Sequence, residues 1–179
     1  MAHPFLHFKT ITRHRHRVIA HCFRAGIGFQ GLFHDLSKYS PAEFIPGARY
    51  YLGNRSPNEG EREQHGYSLA WMHHKGRNRH HFEYWNDLNT KSKMYEPVKM
   101  PIRFVKEMFC DRIAASKIYT GLEYFLRGNA RKKMHADTAD LLEEWLTLLA
   151  TEGEEAAFAH LRSIPNDAFY GKNREDEND

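Results

Sequence analysis

Apolar side chains recur at spacings of three and four residues through the second half of the chain. Pro101 is followed by a stripe of Ile102, Val105, Met108, Phe109 and Ile113, and a second stripe consists of Leu141, Leu142, Trp145, Leu148 and Leu149. This spacing places apolar side chains on one face of an α-helix, and proline is favoured in the first turn of a helix. No segment shows the apolar–polar alternation of a half-buried strand. The sequence therefore predicts an all-α protein.

Start and stop signals divide the rest of the chain into further helices. Residues 5–25 are predicted to form a helix that ends at Gly26, and residues 41–52 form another that begins after Ser40. Ser40, Pro41 and Glu43 match a capping box, in which the serine and glutamate side chains bond the free amides of the first turn. The remaining predicted helices cover residues 61–74, 101–119, 137–149 and 152–162, and residues 53–58 and 89–100 are predicted loops.

The length of 179 residues is enough for one hydrophobic core without disulfides. We predict a single helical domain over residues 1–165 and an acidic, flexible tail over residues 166–179, because residues 173–179 hold four acidic residues and one arginine. The formal net charge is +3, so the body of the chain is modestly basic. Cys22 and Cys110 are the only cysteines, which favours a reducing compartment. No apolar run reaches the length of a transmembrane helix. We therefore expect a cytoplasmic protein without a membrane partner.

Histidines are the unusual component, since nine of the 13 lie between residues 14 and 81. The pair His34-Asp35 ends a short apolar segment, and Lys38 follows it. Later come a cluster of four histidines and Asp111, which lies in the middle of a predicted helix, where an isolated aspartate is unfavourable. Imidazoles and carboxylates are good ligands for first-row transition metals. The sequence therefore predicts a metal site.

The order and spacing of these residues resemble those of the HD-domain superfamily of metal-dependent hydrolases. That superfamily has an early His, an adjacent His-Asp, optional later histidines and a distal Asp. The chain also resembles an uncharacterised bacterial family, related to that superfamily, through the strings HDLSKYSPAEF and HHKGRNRHH, and the resemblance covers roughly residues 9–120. It implies a compact helical bundle of HD type and a metal-ligand set of His14, His34, Asp35, His74, His81 and Asp111.

The first histidine ligand stays open among three candidates. The resemblance favours His14, because its spacing from His34 fits the pattern, over His16 and His21. The latter two alternatively belong to a solvated face among arginines.

The second histidine cluster flanks a turn of sequence Gly-Arg-Asn-Arg, which would bring His74 and His81 towards each other. His73 and His80 are expected to be neighbours or hydrogen-bond donors rather than ligands. HD proteins with similar extra histidines tend to hold two ions. We therefore expect one or two divalent transition metal ions, with two preferred, and Mn, Fe, Zn, Ni and Co all remain open.

Basic residues near these motifs could bind an anionic substrate, because guanidinium groups fit phosphate oxygens. The expected substrate-binding residues are Lys38, Lys75, Arg77, Asn78, Arg79 and Arg112. The expected catalytic residues are Asp35, Lys38 and Glu83, with Glu83 as an acid or base.

These residues and the resemblance predict a metal-dependent phosphohydrolase that acts on a nucleotide or another small phosphate ester. An alternative is a di-iron oxygenase, since the HD architecture also supports inositol oxidation. A third hypothesis is a non-catalytic module that binds nucleotides or RNA. It is not favoured, because the basic charge forms no concentrated stripe. The substrate and the oligomeric state are open.

Overall fold

We analysed a computed structural model, which describes residues 2–115 and 128–168 together with Glu123, Phe125 and Leu126. Most of these residues are helical, as the sequence predicts. The α-helices are α1 (Pro4–Arg24), α2 (Gly28–Gly31), α3 (Pro41–Arg49), α4 (Pro57–His65), α5 (Leu69–Lys75), α6 (Ile102–Ala115) and α7 (Ala136–Ser163). Short 3₁₀ helices cover Leu36–Tyr39, Phe82–Tyr84 and Arg131–Lys133.

The hydrophobic core lies between α1, α6 and α7. Each helix contributes the apolar stripe that its sequence periodicity defines, and fully buried members are Val18, Cys22, Val105, Phe109, Leu142, Trp145 and Phe158. Burying each large apolar side chain contributes about 1.5–3 kcal/mol. Because α1 also packs against α2 and α3, this core fixes the positions of the elements that carry the histidines and acids.

The region predicted as one helix over residues 61–74 forms two helices. Gly66, with φ of 80°, ends α4 in a left-handed conformation that glycine adopts at little cost. Ser68 then caps α5, because its hydroxyl accepts a hydrogen bond from the amide of Trp71 at 3.0 Å. The first residue of α5 is therefore Leu69, and His73 and His74 lie in its last turn.

Two further predictions differ from the structure. The predicted loop over residues 89–100 contains one strand of a small antiparallel hairpin, in which β1 (Asn86–Leu88) pairs with β2 (Tyr95–Pro97). The strands are too short for a period-two pattern to stand out in the sequence. Around Ser40 the helix begins as predicted but ends at Arg49 rather than residue 52, and no side-chain capping bond forms, because Glu43 turns inward.

The last helices are joined at a glycine. Residues predicted as separate helices over 137–149 and 152–162 form α7, which is interrupted by Gly153 with φ of 86°. The end of the helix predicted over residues 101–119 and most of the predicted acidic tail, residues 169–179, lie outside the described residues. Among the described residues, no helix combines the length and apolar character needed to cross a membrane.

Candidate metal centre

His34 and Asp35 converge because they lie in a turn after α2, where the backbone of Asp35 is not helical. Successive helical residues point about 100° apart, which would separate the two side chains. Asp35 instead has φ of 52° and ψ of 24°, a left-handed conformation that aspartate tolerates better than most residues. The guanidinium of Arg15 fixes this turn by donating from Nε to the carbonyl of His34 at 3.0 Å. His34 Nε2 thereby lies 3.3 Å from Asp35 Oδ2.

One group of possible metal ligands surrounds this pair. His14, His34, Asp35 and Asp111 each offer an atom, and these atoms all lie within 4.8 Å of one another. His14 Nε2 is 2.8 Å from Asp111 Oδ1, and His34 Nε2 is 3.7 Å from the same oxygen. The helices α1 and α6 therefore bring together residues 97 positions apart in sequence.

A second group shares Asp35 and consists of Asp35, His74, His80 and His81. Asp35 Oδ1 lies 3.4 Å from His74 Nε2 and 3.5 Å from His80 Nε2. The Nε2 atoms of His74 and His81 are 2.8 Å apart. The helix α5 and the turn after it thus bring the three histidines together beside Asp35, with Oδ1 near His74 and His80 and Oδ2 near His34.

The residues present fit a metal ion. His34 Nε2, His80 Nε2 and Asp35 Oδ1 are buried yet have no hydrogen-bond partner among the described residues. Buried polar atoms are normally satisfied, because an unpaired one costs free energy. Imidazole nitrogens and carboxylate oxygens that converge are the donor set of first-row transition metals. Because Asp35 belongs to both groups, it is the residue that could bridge two ions.

Two buried glutamates orient the histidines. Glu107 Oε1 lies 2.9 Å from Nδ1 of His34 and 3.2 Å from Nδ1 of His80. Glu43 Oε1 lies 2.6 Å from Nδ1 of His73, and its Oε2 lies 2.8 Å from Nδ1 of His74. A carboxylate only accepts hydrogen bonds, so Nδ1 of each ring carries a proton. In His34, His74 and His80 this makes Nε2 the nitrogen available to a metal ion.

The charges of the site are mutually stabilised. Burial would raise the pKa of Asp35, but Lys38 and His34 outweigh it and hold that pKa well below its usual range. Burial likewise opposes ionisation of Glu107, yet the hydrogen bonds from His34 and His80 lower its pKa to about 2. Burial would lower the pKa of His34, but Asp35 and Glu107 raise it to about 10, so the metal-free ring is protonated on both nitrogens and a metal ion would displace the proton from Nε2. The carboxylates are therefore ionised at neutral pH.

Lys38 is the cation closest to the shared carboxylate, with Nζ 2.6 Å from Asp35 Oδ2. Burial would lower the pKa of this amine, but Asp35 and Asp111 raise it above its usual value. The side chain keeps about a third of its surface exposed. Lys38 is thus a fixed positive charge that is accessible from solvent.

A cavity of about 670 Å³ opens over both ligand groups. Its lining includes His14, His74, His81 and Asp111 of the ligand groups, together with Lys38, and further residues of α1, of the segment after α3 and of α5. The other members of the two groups, His34, Asp35 and His80, are buried and are not among the lining residues. The wall residues with polar or aromatic side chains include Arg13, Arg17, Tyr51, Asn54, Arg55 and Trp71. A small organic phosphate fits a volume of this size.

Several residues predicted to bind substrate lie elsewhere. The residues that line the cavity include Lys38 but not Lys75, Arg77, Asn78, Arg79 or Arg112. Asn78 is nine-tenths buried and uses its amide to brace the turn, donating to Ser37 Oγ at 2.7 Å and to the carbonyl of His74 at 2.8 Å. The guanidinium of Arg79 lies over the rings of Tyr84 and Phe104, and that of Arg112 over Phe125. These residues were expected at the site because they are close to the motifs in sequence, but their side chains do not line the cavity.

Glu83, predicted as an acid or base, belongs to the 3₁₀ helix Phe82–Tyr84 and is not among the cavity-lining residues. Of the three candidate first ligands, only His14 joins a ligand group among the described residues. His21 points to the core, with Nδ1 3.4 Å from the carbonyl of Cys110, and His16 lies on the exposed face of α1.

Sequence reasoning missed three members of the site. His80 was expected to be a neighbour, yet it is 2% exposed and offers Nε2 to the second group. The second missed member is Glu107. It lies one helical turn before the predicted ligand Asp111 on α6, and two acids at that spacing beside an apolar stripe could have indicated it. Glu43 carried no such signal, because its position after Ser40 fits a capping box equally well.

Comparison with known proteins gives one result. A family of unknown function (DUF5662) matches the chain over residues 3–148. Comparison with curated proteins gives no match, and comparison with solved structures gives none either. The matched segment contains every residue of both ligand groups. Since the match covers most of the chain, this protein belongs to the DUF5662 family of unknown function.

Proposed function

We propose that this protein is a metal-dependent phosphohydrolase that acts on a nucleotide or another small phosphate ester. The observation that carries the proposal is that Asp35 belongs to two groups of ligands, and that His14 and Asp111 of one group and His74 and His81 of the other line a cavity with cationic walls. A relationship to the HD-domain superfamily is part of the proposal. It is supported by the spatial meeting of His14, His34-Asp35 and Asp111.

The ligand groups define which residues would hold the ions. His14, His34, Asp35 and Asp111 would hold one ion, and Asp35, His74, His80 and His81 would hold the other. When bound, divalent ions at such sites polarise phosphoryl oxygens and lower the pKa of a water molecule, which supplies a nucleophile near neutral pH. Manganese, iron, zinc, nickel and cobalt all accept this donor set.

The other residues of the cavity bind and orient the substrate. Lys38 keeps its proton on Nζ, because Asp35 and Asp111 raise its pKa, so it acts as a positive charge for phosphate oxygens rather than as a base. Glu107 and Glu43 hold the Nδ1 protons of His34, His80 and His74, whose Nε2 atoms are directed at Asp35. The preorganised charges cost no rearrangement when the phosphate arrives.

Elemental analysis of protein purified without an affinity tag tests the proposal, in combination with assays of phosphate release from nucleotides and sugar phosphates. We expect one or two transition metal ions per chain and phosphate release that stops with a chelator and needs no oxygen. Metal-loaded protein that consumes oxygen but releases no phosphate would favour the di-iron oxygenase. Metal-free protein that binds RNA with a steep salt dependence would favour a binding module.

A further inference from the structure

The helix α1 is strongly cationic and contains no acidic residue. Its 21 residues include Lys9, Arg13, Arg15, Arg17 and Arg24 besides four histidines. Helices usually intersperse acids with bases, because like charges three or four positions apart repel each other. The composition of α1 therefore has a cost that some interaction must offset.

Two of the four arginines of α1 serve the fold. Arg15 donates to the carbonyl of His34 and so holds the turn of the metal centre. Arg24 forms ion pairs with Glu154 and with Glu155, the latter at 2.7 Å, and thereby ties α1 to α7. These two positions are explained without any ligand.

Arg13 and Arg17 have no such explanation. They are one helical turn apart, both are exposed, and among the described residues neither has a hydrogen bond or an ion pair. Both line the cavity over the metal centre, and His14, a ligand of the first group, lies between them in sequence. Across the cavity, Arg55 already pairs with Glu63. Both also border a second groove on α1, next to Phe8 and His16. Two arginines without an ion pair among the described residues therefore border the space beside the ligand groups.

We propose that Arg13 and Arg17 form a second anion-binding site, so that the substrate carries a further phosphate or carboxylate besides the phosphate held at the metal centre. This inference rests on the proposed function and specifies its substrate class. Guanidinium groups bind both kinds of anion through paired N–H donors. The distance along α1 from His14 to either arginine is at most one turn, about 5.4 Å of rise, so one small molecule reaches both positions.

A pair of unreactive phosphonates tests the site. Propylphosphonate and 3-phosphonopropionate have the same phosphonate and three carbons each, but only the second carries a carboxylate. Calorimetric titration of the Mn²⁺-loaded protein is expected to show at least about tenfold tighter binding of 3-phosphonopropionate, as one extra hydrogen-bonded charge pair supplies. The preference should fall as the salt concentration rises.

The double variant Arg13→Gln/Arg17→Gln should reduce this preference to about twofold or less, because the second charge loses its partners. Arg162→Gln is the matched control. It also removes an exposed arginine, but from the end of α7 outside the cavity, and it should keep the full preference.

The possible results distinguish a failure of the second anion site from a failure of the proposed phosphohydrolase function. Equal binding of the two phosphonates by the native protein overturns the second anion site and leaves the phosphohydrolase proposal intact. A preference that survives in the double variant overturns the assignment to Arg13 and Arg17. If neither phosphonate binds the metal-loaded protein, the phosphate site at the metal centre is also wrong, and both proposals fail.

Discussion

Nδ1 of His34 lies 2.9 Å from Oε1 of Glu107, and both side chains are almost completely buried. The same oxygen lies 3.2 Å from Nδ1 of His80. His34 belongs to the first ligand group and His80 to the second. One carboxylate on α6 therefore orients a histidine of each group, so that a displacement of Glu107 would change the orientation of both histidines.

We expect Glu107→Gln to weaken metal binding in both ligand groups. The amide keeps the shape of the side chain but loses the charge that fixes the Nδ1 protons, and outer carboxylates of this kind are worth about 10–100-fold in metal affinity. Calorimetric titration of the apoprotein with Mn²⁺ measures the effect. The matched control is Glu61→Gln, since Glu61 is equally buried but accepts its hydrogen bond from Ser68.

Glu43→Gln provides a second comparison, because Glu43 contacts His73 and His74 but no histidine of the first group. It should weaken only one of two binding events. If Glu107→Gln also weakened only one, or neither, the shared orientation of the two groups would be refuted.

The helical stripes could be predicted from the sequence, because they depend on local spacing. The left-handed backbone conformation of Asp35 could not be predicted from the sequence. Adjacent helical residues diverge, and only the left-handed turn at Asp35, held through Arg15, makes the pair converge. The directions in which the side chains after α5 point could not be predicted either. His80 and His81 are neighbours in sequence, as are Arg77 and Asn78, yet the turn places both histidines in the centre and turns Arg77 to solvent.

Gly47 allows α3 to approach α1, which carries the first ligand. A Cβ atom at residue 47 would lie 2.3 Å from Nε2 of His7, a buried ring that packs against Phe44 and Tyr51. Gly47→Ala must therefore shift the helices or the ring. We expect a loss of about 1–3 kcal/mol in the free energy of unfolding, as is typical of overpacking. Chemical denaturation measures it.

Gly28→Ala is the control for this substitution. Its Cβ would also be too close to a ring, at 2.4 Å from Phe23, but that side chain is 58% exposed and can rotate into solvent. It should cost less than Gly47→Ala. Equal losses for the two variants would mean that the contact with His7 does not limit the approach of α3.

The two cysteines report on the integrity of the core beside the site. Cys22 on α1 and Cys110 on α6 have no exposed surface, and burial raises the pKa of the Cys110 thiol well above its usual value. Because the thiolate is the reactive form, a thiol reagent at neutral pH should modify neither cysteine in the native protein. Both should react once denaturant unfolds the chain. Rapid labelling without denaturant would show that α1 and α6 separate far more readily than their packing implies.

Asp35→Asn should abolish both metal binding and phosphate release. Asparagine tolerates the left-handed conformation as well as aspartate does, so the turn is kept while the charge shared by both ligand groups and by Lys38 is lost. Elemental analysis and phosphate release measure the two effects, with circular dichroism to confirm folding, because loss of a metal can itself destabilise a protein.

Asp87→Asn is the control for this substitution. Asp87 is exposed on β1, and its carboxylate accepts a hydrogen bond from the amide of Leu88 at 2.8 Å and from no other group among the described residues. Metal content and rate should therefore stay within about twofold. A folded Asp35→Asn protein with full metal content and full rate would remove His34-Asp35 from the mechanism, and the hydrolase proposal with it.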